Sequence, residues 1–158
     1  MTMNIAVTFL IQSGQVLLLY KEMRGYHVAP GGKVEEDETL QAAAKREFLE
    51  ETNLVIEPKL AAISTITTKD EQNITKSFYT LFTFYATEAT GTLLEKSREG
   101  VNTWRALTAI EDLPMFAGDK MLLQRLLGKL SADDMRLDYA CFCYDTSYKK
   151  LLSFDLTI

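Results

Sequence analysis

The feature that most restricts this chain is a helix read from Thr39 to Asn53 whose acidic residues fall on the side that should pack. Thr39 is a ready N-cap, Leu40 to Glu51 are mostly good helix formers, and Asn53 suits the left-handed position that ends a helix. With Glu47 at zero on a wheel of ~100° per residue, Glu50 lies at ~300° and Glu51 at ~40°. On the same wheel Leu40 is at ~20°, Ala43 at ~320° and Ala44 at ~60°, so the three carboxylates continue the apolar stripe and should face inward or into a cleft. Like charges three and four residues apart cost a surface helix about 0.2–0.5 kcal/mol per pair, and partial burial raises that cost. Positive charge is therefore expected among them. Arg46 is spaced to reach Glu50 one turn on, but one guanidinium cannot serve three carboxylates, which makes a divalent cation the economical expectation. Hard oxygen ligands favour Mg2+ or Mn2+ over zinc. For the helix taken alone, a solvated acidic face held by salt bridges is the alternative.

The rest of the chain reads as strands and one further helix. Asn4 to Ile11 and Val16 to Tyr20 flank the turn signal Ser13-Gly14, a hairpin pattern. After Tyr26-His27-Val28-Ala29, the cluster Pro30-Gly31-Gly32 should end any regular element and form a tight loop. Beyond Pro58, residues 59–68 and 74–86 are rich in β-branched and aromatic types, and Val101 to Ala106 predicts a short strand. Gly118-Asp119 opens an amphipathic helix with Met121, Leu122, Leu123, Leu126, Leu127 and Leu130 at helical spacing. The tail alternates from Leu137 to Tyr144, turns at Asp145-Thr146-Ser147 and resumes from Lys149 to Leu156, a second hairpin whose edge is available for pairing. The chain is expected to be a monomer or homodimer.

At 158 residues, with no repeat or linker composition, one domain spanning residues 1–158 is expected. The net charge of −5 and the thin spread of 17 basic residues argue against polymeric nucleic acid as partner, since phosphate backbones need clustered Lys and Arg. A small anionic ligand remains compatible, because a bound cation dominates the field of its own site. Cys141 and Cys143 lack redox or zinc spacing and read as reduced packing residues. Neither a signal-peptide pattern nor an apolar run long enough for a membrane span is present, so no membrane association and a cytoplasmic location are expected.

In order, Gly32, five residues, Glu38, seven residues, Arg46-Glu47-Phe48, one residue, Glu50-Glu51, one residue and Asn53-Leu54 resemble the Nudix box. The match is complete except that Asn53 stands where the box ends in Gly, a mild departure because Asn tolerates the left-handed conformation. The resemblance implies the α+β Nudix fold, an α/β/α sandwich with a mixed sheet between helices. It also implies a pyrophosphohydrolase of nucleoside diphosphates linked to X. It assigns Glu47, Glu50 and Glu51 as ligands of Mg2+, with Mn2+ as substitute. Arg46 would orient the carboxylates, Glu38 would stand nearby or touch the metal, and a carbonyl at Gly31 or Gly32 would add an oxygen. An acidic residue outside the box usually assists; Glu99, in Arg98-Glu99-Gly100, is favoured over Glu95 and Glu88.

The box does not name X. The segment from Glu99-Gly100 through Trp104, Leu113-Pro114 and Gly118-Asp119 is similar to the MutT-type branch, which removes oxidised purine triphosphates such as 8-oxo-dGTP and so cleanses the nucleotide pool. On that resemblance Asp119 reads a purine edge and Phe116 or Met115 packs on the base, although Asp119 is also a ready helix N-cap. Trp104 is expected as a half-buried strand aromatic, with base stacking as its functional alternative. His27 and Lys33, flanking the glycine pair, are candidate substrate contacts, a structural role being the simpler reading of His27. Other Nudix substrates (ADP-ribose, a dinucleoside polyphosphate, a nucleotide sugar) stay open, as does a non-catalytic nucleotide sensor, against which the complete carboxylate set argues.

Overall fold

The computed structural model describes residues 3–157. Strand β1 (Met3–Gln12) turns through Ser13 and Gly14, both in left-handed backbone, into β2 (Gln15–Lys21), as the turn signal predicts. Then follow β3 (Tyr26–Val28), β4 (Gly31–Lys33), α1 (Leu40–Thr52), β5 (Leu54–Ile56), β6 (Lys59–Lys69), β7 (Thr75–Ala86), β8 (Ala89–Gly91) and β9 (Val101–Ala106). A 3-10 turn at Leu107–Asp112, α2 (Ala117–Ala132), β10 (Asp138–Asp145) and β11 (Leu151–Thr157) complete the chain.

The strands form a mixed sheet in the order β11-β10-β6-β7-β1-β2-β3, with β4 paired to β1 and β9 to β2; β1 runs parallel to β7 and β10 parallel to β6. Side chains alternate along β1, and each face buries a helix. Ala6 packs with Ala43, Ala44 and Phe84 beneath α1, whereas Phe9, Val16 and Leu18 pack with Leu123 and Leu126 of α2. The expected sandwich is therefore the fold. The expected edge is also present: β11 lies outermost, with Leu152 and Phe154 exposed. Asp138 of β10, fully buried, pins the hairpin to α2 through Lys129 at 2.9 Å and Arg125 at 3.2 Å.

Three local expectations need correction. Gly31 to Lys33 is a strand and not a loop: without side chains the backbone lies so close to β1 that a Cβ on Gly31 would stand 2.2 Å from the Ala6 carbonyl oxygen. Asp119 does not cap α2, which begins two residues earlier after Phe116; the Gly118 N–H is instead taken by the Tyr144 hydroxyl at 2.7 Å. A tertiary acceptor replaces the local one. Cys143 is buried as a packing residue, but Cys141 is exposed; both are free thiols. The short strands β5 and β8, which pair as a separate ribbon, lack a sequence signal long enough to show periodicity.

Candidate active site

Helix α1 is built as its sequence suggests. The Thr39 hydroxyl accepts from the Ala42 N–H at 3.0 Å, and Asn53 closes the helix at φ 62°. Ala43, Ala44, Phe48 and Thr52 are buried, and Glu51 lies among this set at 7% exposure. The wheel places all three carboxylates inward; the structure grades them. Glu51 is buried, Glu47 half-buried and Glu50 exposed at the rim. Together with Glu99 they line a cleft of about 970 Å³.

Glu51 accepts one hydrogen bond, from the Gly31 N–H at 3.0 Å. Among the described residues no cationic nitrogen lies within ion-pair distance of it. Burial, reinforced by Glu47 and Glu99, pushes its carboxyl up to about 8. Such a group is either protonated or waiting for positive charge. Among the described residues no three acidic, His or Cys side chains stand close enough together, in their present orientations, to hold a metal ion; the carboxylates border an open cleft.

Arg46 does more than the predicted i+4 contact, which is long at 3.5 Å. Its main partner is Glu38, bound through both carboxylate oxygens at 2.8 and 3.1 Å, followed by Glu47 at 2.9 Å and the Lys33 carbonyl at 3.1 Å. The Arg46 guanidinium holds the Glu38 carboxyl below its ordinary range, and the Glu35 N–H adds to this. Arg46 thus ties helix, glycine strand and the 35–38 loop into one unit. Gly32 presses on Glu47: a Cβ there would meet the Glu47 carboxyl carbon at 2.5 Å. Lys33 contributes its carbonyl while its side chain stays exposed.

Glu99 reaches the cleft because the loop before β9 is fastened to the end of α1. The Asn102 amide donates to the carbonyls of Glu51 and Leu94, both at 2.8 Å, and the Leu94 N–H donates to Thr52 O. Glu99 pairs with Lys21 at 3.0 Å. Neither Lys21 nor Asn102 is legible in sequence, since Glu99 and Glu51, the residues they bind at the cleft, lie tens of residues away.

The remaining candidates separate into two groups. Asp119 and Phe116 come together, lining a pocket of about 130 Å³ with Val7, Val28 and Tyr79 on the α2 face. Burial pushes the Asp119 carboxyl up to about 7. His27 and Trp104 are not in that pocket. His27 is buried, its Nδ1 lying 3.2 Å from Pro114 O and its Nε2 accepting from Arg105 Nε at 3.2 Å; burial lowers its pKa, so the neutral ring donates through Nδ1. Trp104 packs on the cluster of Leu10, Leu17 and Phe48 behind α1. No described helix is long and apolar enough to cross a membrane.

Comparison with known proteins fits this geometry. The family model described as the NUDIX domain matches residues 2–126. An uncharacterised Nudix hydrolase of Bacillus subtilis, YvcI, is 40% identical over 114 residues, covering 72% of each chain. The crystal structure of the MutT protein of Bacillus halodurans superposes with a TM-score of 0.89 at 37% identity, covering 98% of this chain and 97% of that one. The NUDIX domain of Shewanella oneidensis NrtR, solved with ADP ribose, shares the fold at 16% identity and TM-score 0.68, over 82% and 89% of the two chains.

Proposed function

Because the chain belongs to the Nudix family of hydrolases acting on phosphorus-containing acid anhydrides, we propose that it cleaves a nucleoside triphosphate to the monophosphate and pyrophosphate in the cytoplasm, with Mg2+ as cofactor and an oxidised purine nucleotide such as 8-oxo-dGTP as the first candidate substrate. The observation that carries this reading is Glu51: a buried carboxylate in a cleft with Glu47 and Glu99, which among the described residues has no cationic nitrogen within ion-pair distance. That donor set, all carboxylate oxygens on an open cleft, fits a hard divalent ion that keeps part of its water shell.

Glu47, Glu50 and Glu51 would hold the ion, with side-chain rotation at the exposed Glu50 closing the set. Bound there, it would offset charge on phosphate oxygens and lower the pKa of an attacking water. The Gly31 N–H keeps Glu51 oriented, and Arg46 keeps Glu47 and Glu38 from drifting apart. Glu99 lines the same cleft from the loop before β9 and pairs with Lys21, which supports it as the carboxylate that would accept the proton of the water. Asp119, neutral over much of its range below about 7, both donates and accepts, which suits the mixed edge of a purine.

The fold shared with an ADP-ribose-binding domain favours a nucleoside diphosphate-sugar as second reading. A panel of canonical and oxidised nucleoside triphosphates, ADP-ribose and dinucleoside polyphosphates, with Mg2+ and with chelator, tests both. Metal-dependent release of pyrophosphate from an oxidised purine triphosphate is expected. Preference for another diphosphate would discard the triphosphate reading, and binding without turnover would discard hydrolysis.

A further inference from the structure

The matched family region stops at residue 126, yet the turn that follows it in β10–β11 folds back over the α2 end of the molecule. Its residues Ser147, Tyr148 and Lys149 form one wall of a pocket of about 540 Å³, with Arg24, Tyr26 and Phe116 opposite. Phe116 also lines the Asp119 pocket, so the two cavities share that ring as a common wall. The rings form a chain: Tyr26 to Phe116 at 4.5 Å, Phe116 to Tyr148 at 5.8 Å and Tyr148 to Tyr144 at 5.6 Å.

Tyr148 holds this place at a conformational cost. Its φ is 61°, a left-handed conformation that a bulky residue rarely adopts and that tends to persist where surroundings fix it, often at ligand clamps. The turn is closed by the Tyr148 N–H on Asp145 O at 3.1 Å, and its hydroxyl lies 3.4 Å from the Ser77 hydroxyl on β7. Asn, Asp or Gly would fit that backbone with less strain. The ring is what the position gains.

We propose that the β10–β11 turn is a base-binding element of the substrate site, in which Tyr148, with Phe116 and Tyr26, forms a stacking wall for a planar nucleobase. This deepens the nucleotide reading given above and rests on it. Aromatic faces suit any purine-sized heterocycle, and two cations at the rim, Arg24 and Lys149, suit a polyanionic ligand.

The test uses the full chain in chelator, with GMP and AMP as probes and ribose 5-phosphate as the base-free control, by NMR titration. Tyr148→Asn keeps a residue tolerant of the left-handed backbone and removes the ring; Tyr148→Phe keeps the ring. Expected is a roughly five- to tenfold weaker binding of both nucleotides to Tyr148→Asn, unchanged ribose 5-phosphate binding, and wild-type behaviour of Tyr148→Phe. Equal nucleotide affinity in Tyr148→Asn and wild type overturns the proposal, as does an equal loss for the base-free control. Because no metal is present, a ring-dependent affinity upholds the stacking wall even if the Mg2+ panel shows no hydrolysis. Conversely, active hydrolysis with ring-independent binding overturns the wall and leaves the hydrolase reading intact.

Discussion

Gly31 and Gly32 are neighbours on one strand, but adding a methyl group to each should damage different properties. At Gly32 the new Cβ would stand 2.5 Å from the Glu47 carboxyl carbon and 2.6 Å from both its oxygens. That obstacle is the end of a flexible side chain, so the carboxylate moves by about 1 Å to restore ordinary contact while the strand stays put. Misplacing a reacting group by about that distance costs on the order of a hundredfold in rate. At Gly31 the Cβ would meet Ala6 O at 2.2 Å and the Val7 Cα at 2.6 Å, which are backbone atoms of the paired strand. Relief requires β1 and β4 to separate, an overpacking cost of about 1–3 kcal/mol. At roughly 2–4 °C per kcal/mol for a domain of this size, Gly31→Ala should melt roughly 2–12 °C lower. Gly32→Ala should melt within about 2 °C of wild type and turn over nucleotide about a hundredfold more slowly at fixed Mg2+. Thermal melts and initial rates on the same preparations read both. Wild-type turnover in Gly32→Ala, or a loss of activity accompanied by an equal loss of stability, would refute the argument that Gly32 is small for the sake of Glu47.

Asp138→Ala leaves Lys129 buried without its counter-ion and should cost about 3–5 kcal/mol in urea unfolding, whereas Lys129→Met in that background should recover part of the loss; an additive double variant would show that the pair does not pin the hairpin. The pH dependence of stability carries the signature of Asp119. Its folded pKa of about 7 is raised above the unfolded carboxylate value, so the folded state holds the extra proton between about pH 4 and 7. Its contribution therefore favours folding below that window and is lost as pH rises through it. Asp119→Asn should gain on wild type by roughly 3 °C or more in melting temperature between pH 5 and pH 8; a pH-independent difference would mean that the carboxyl is solvated.

Much of this was legible because the information was local. The cap at Thr39, the left-handed Asn53 and the periodic burial of Ala43, Ala44 and Phe48 depend on residues within a few turns of each other. The same holds for the first hairpin, fixed by Ser13-Gly14. What sequence left open depends on distant partners. Nothing near Asn102 announces that its amide will bind the last turn of α1, nor near Gly118 that a tyrosine from the C-terminal hairpin will cap its N–H. Asp119 does not act as a cap because α2 begins at Ala117, two residues before it, a start that the tertiary contact at Gly118 supports and no local signal announces. The glycine pair misled in the other direction, since punctuation that usually breaks a strand here permits one strand to approach another. The wheel gave the direction of the three carboxylates but not their depth, which is set by the strands packed against α1.

On the proposed function, the buried Glu51 carboxylate, which has no cationic nitrogen within ion-pair distance among the described residues, is there to hold a divalent ion for phosphoanhydride cleavage. Glu51→Gln tests it most directly, because the amide oxygen can still accept the Gly31 N–H while the charge is gone. Initial rates against Mg2+ concentration, with a melting curve of the metal-free protein at pH 8.5, are the measurement. Expected are turnover lower by at least about two orders of magnitude and a melting temperature no lower than wild type, since a buried charge without an ion-pair partner has been removed. Near-normal Mg2+-dependent turnover in Glu51→Gln would contradict it.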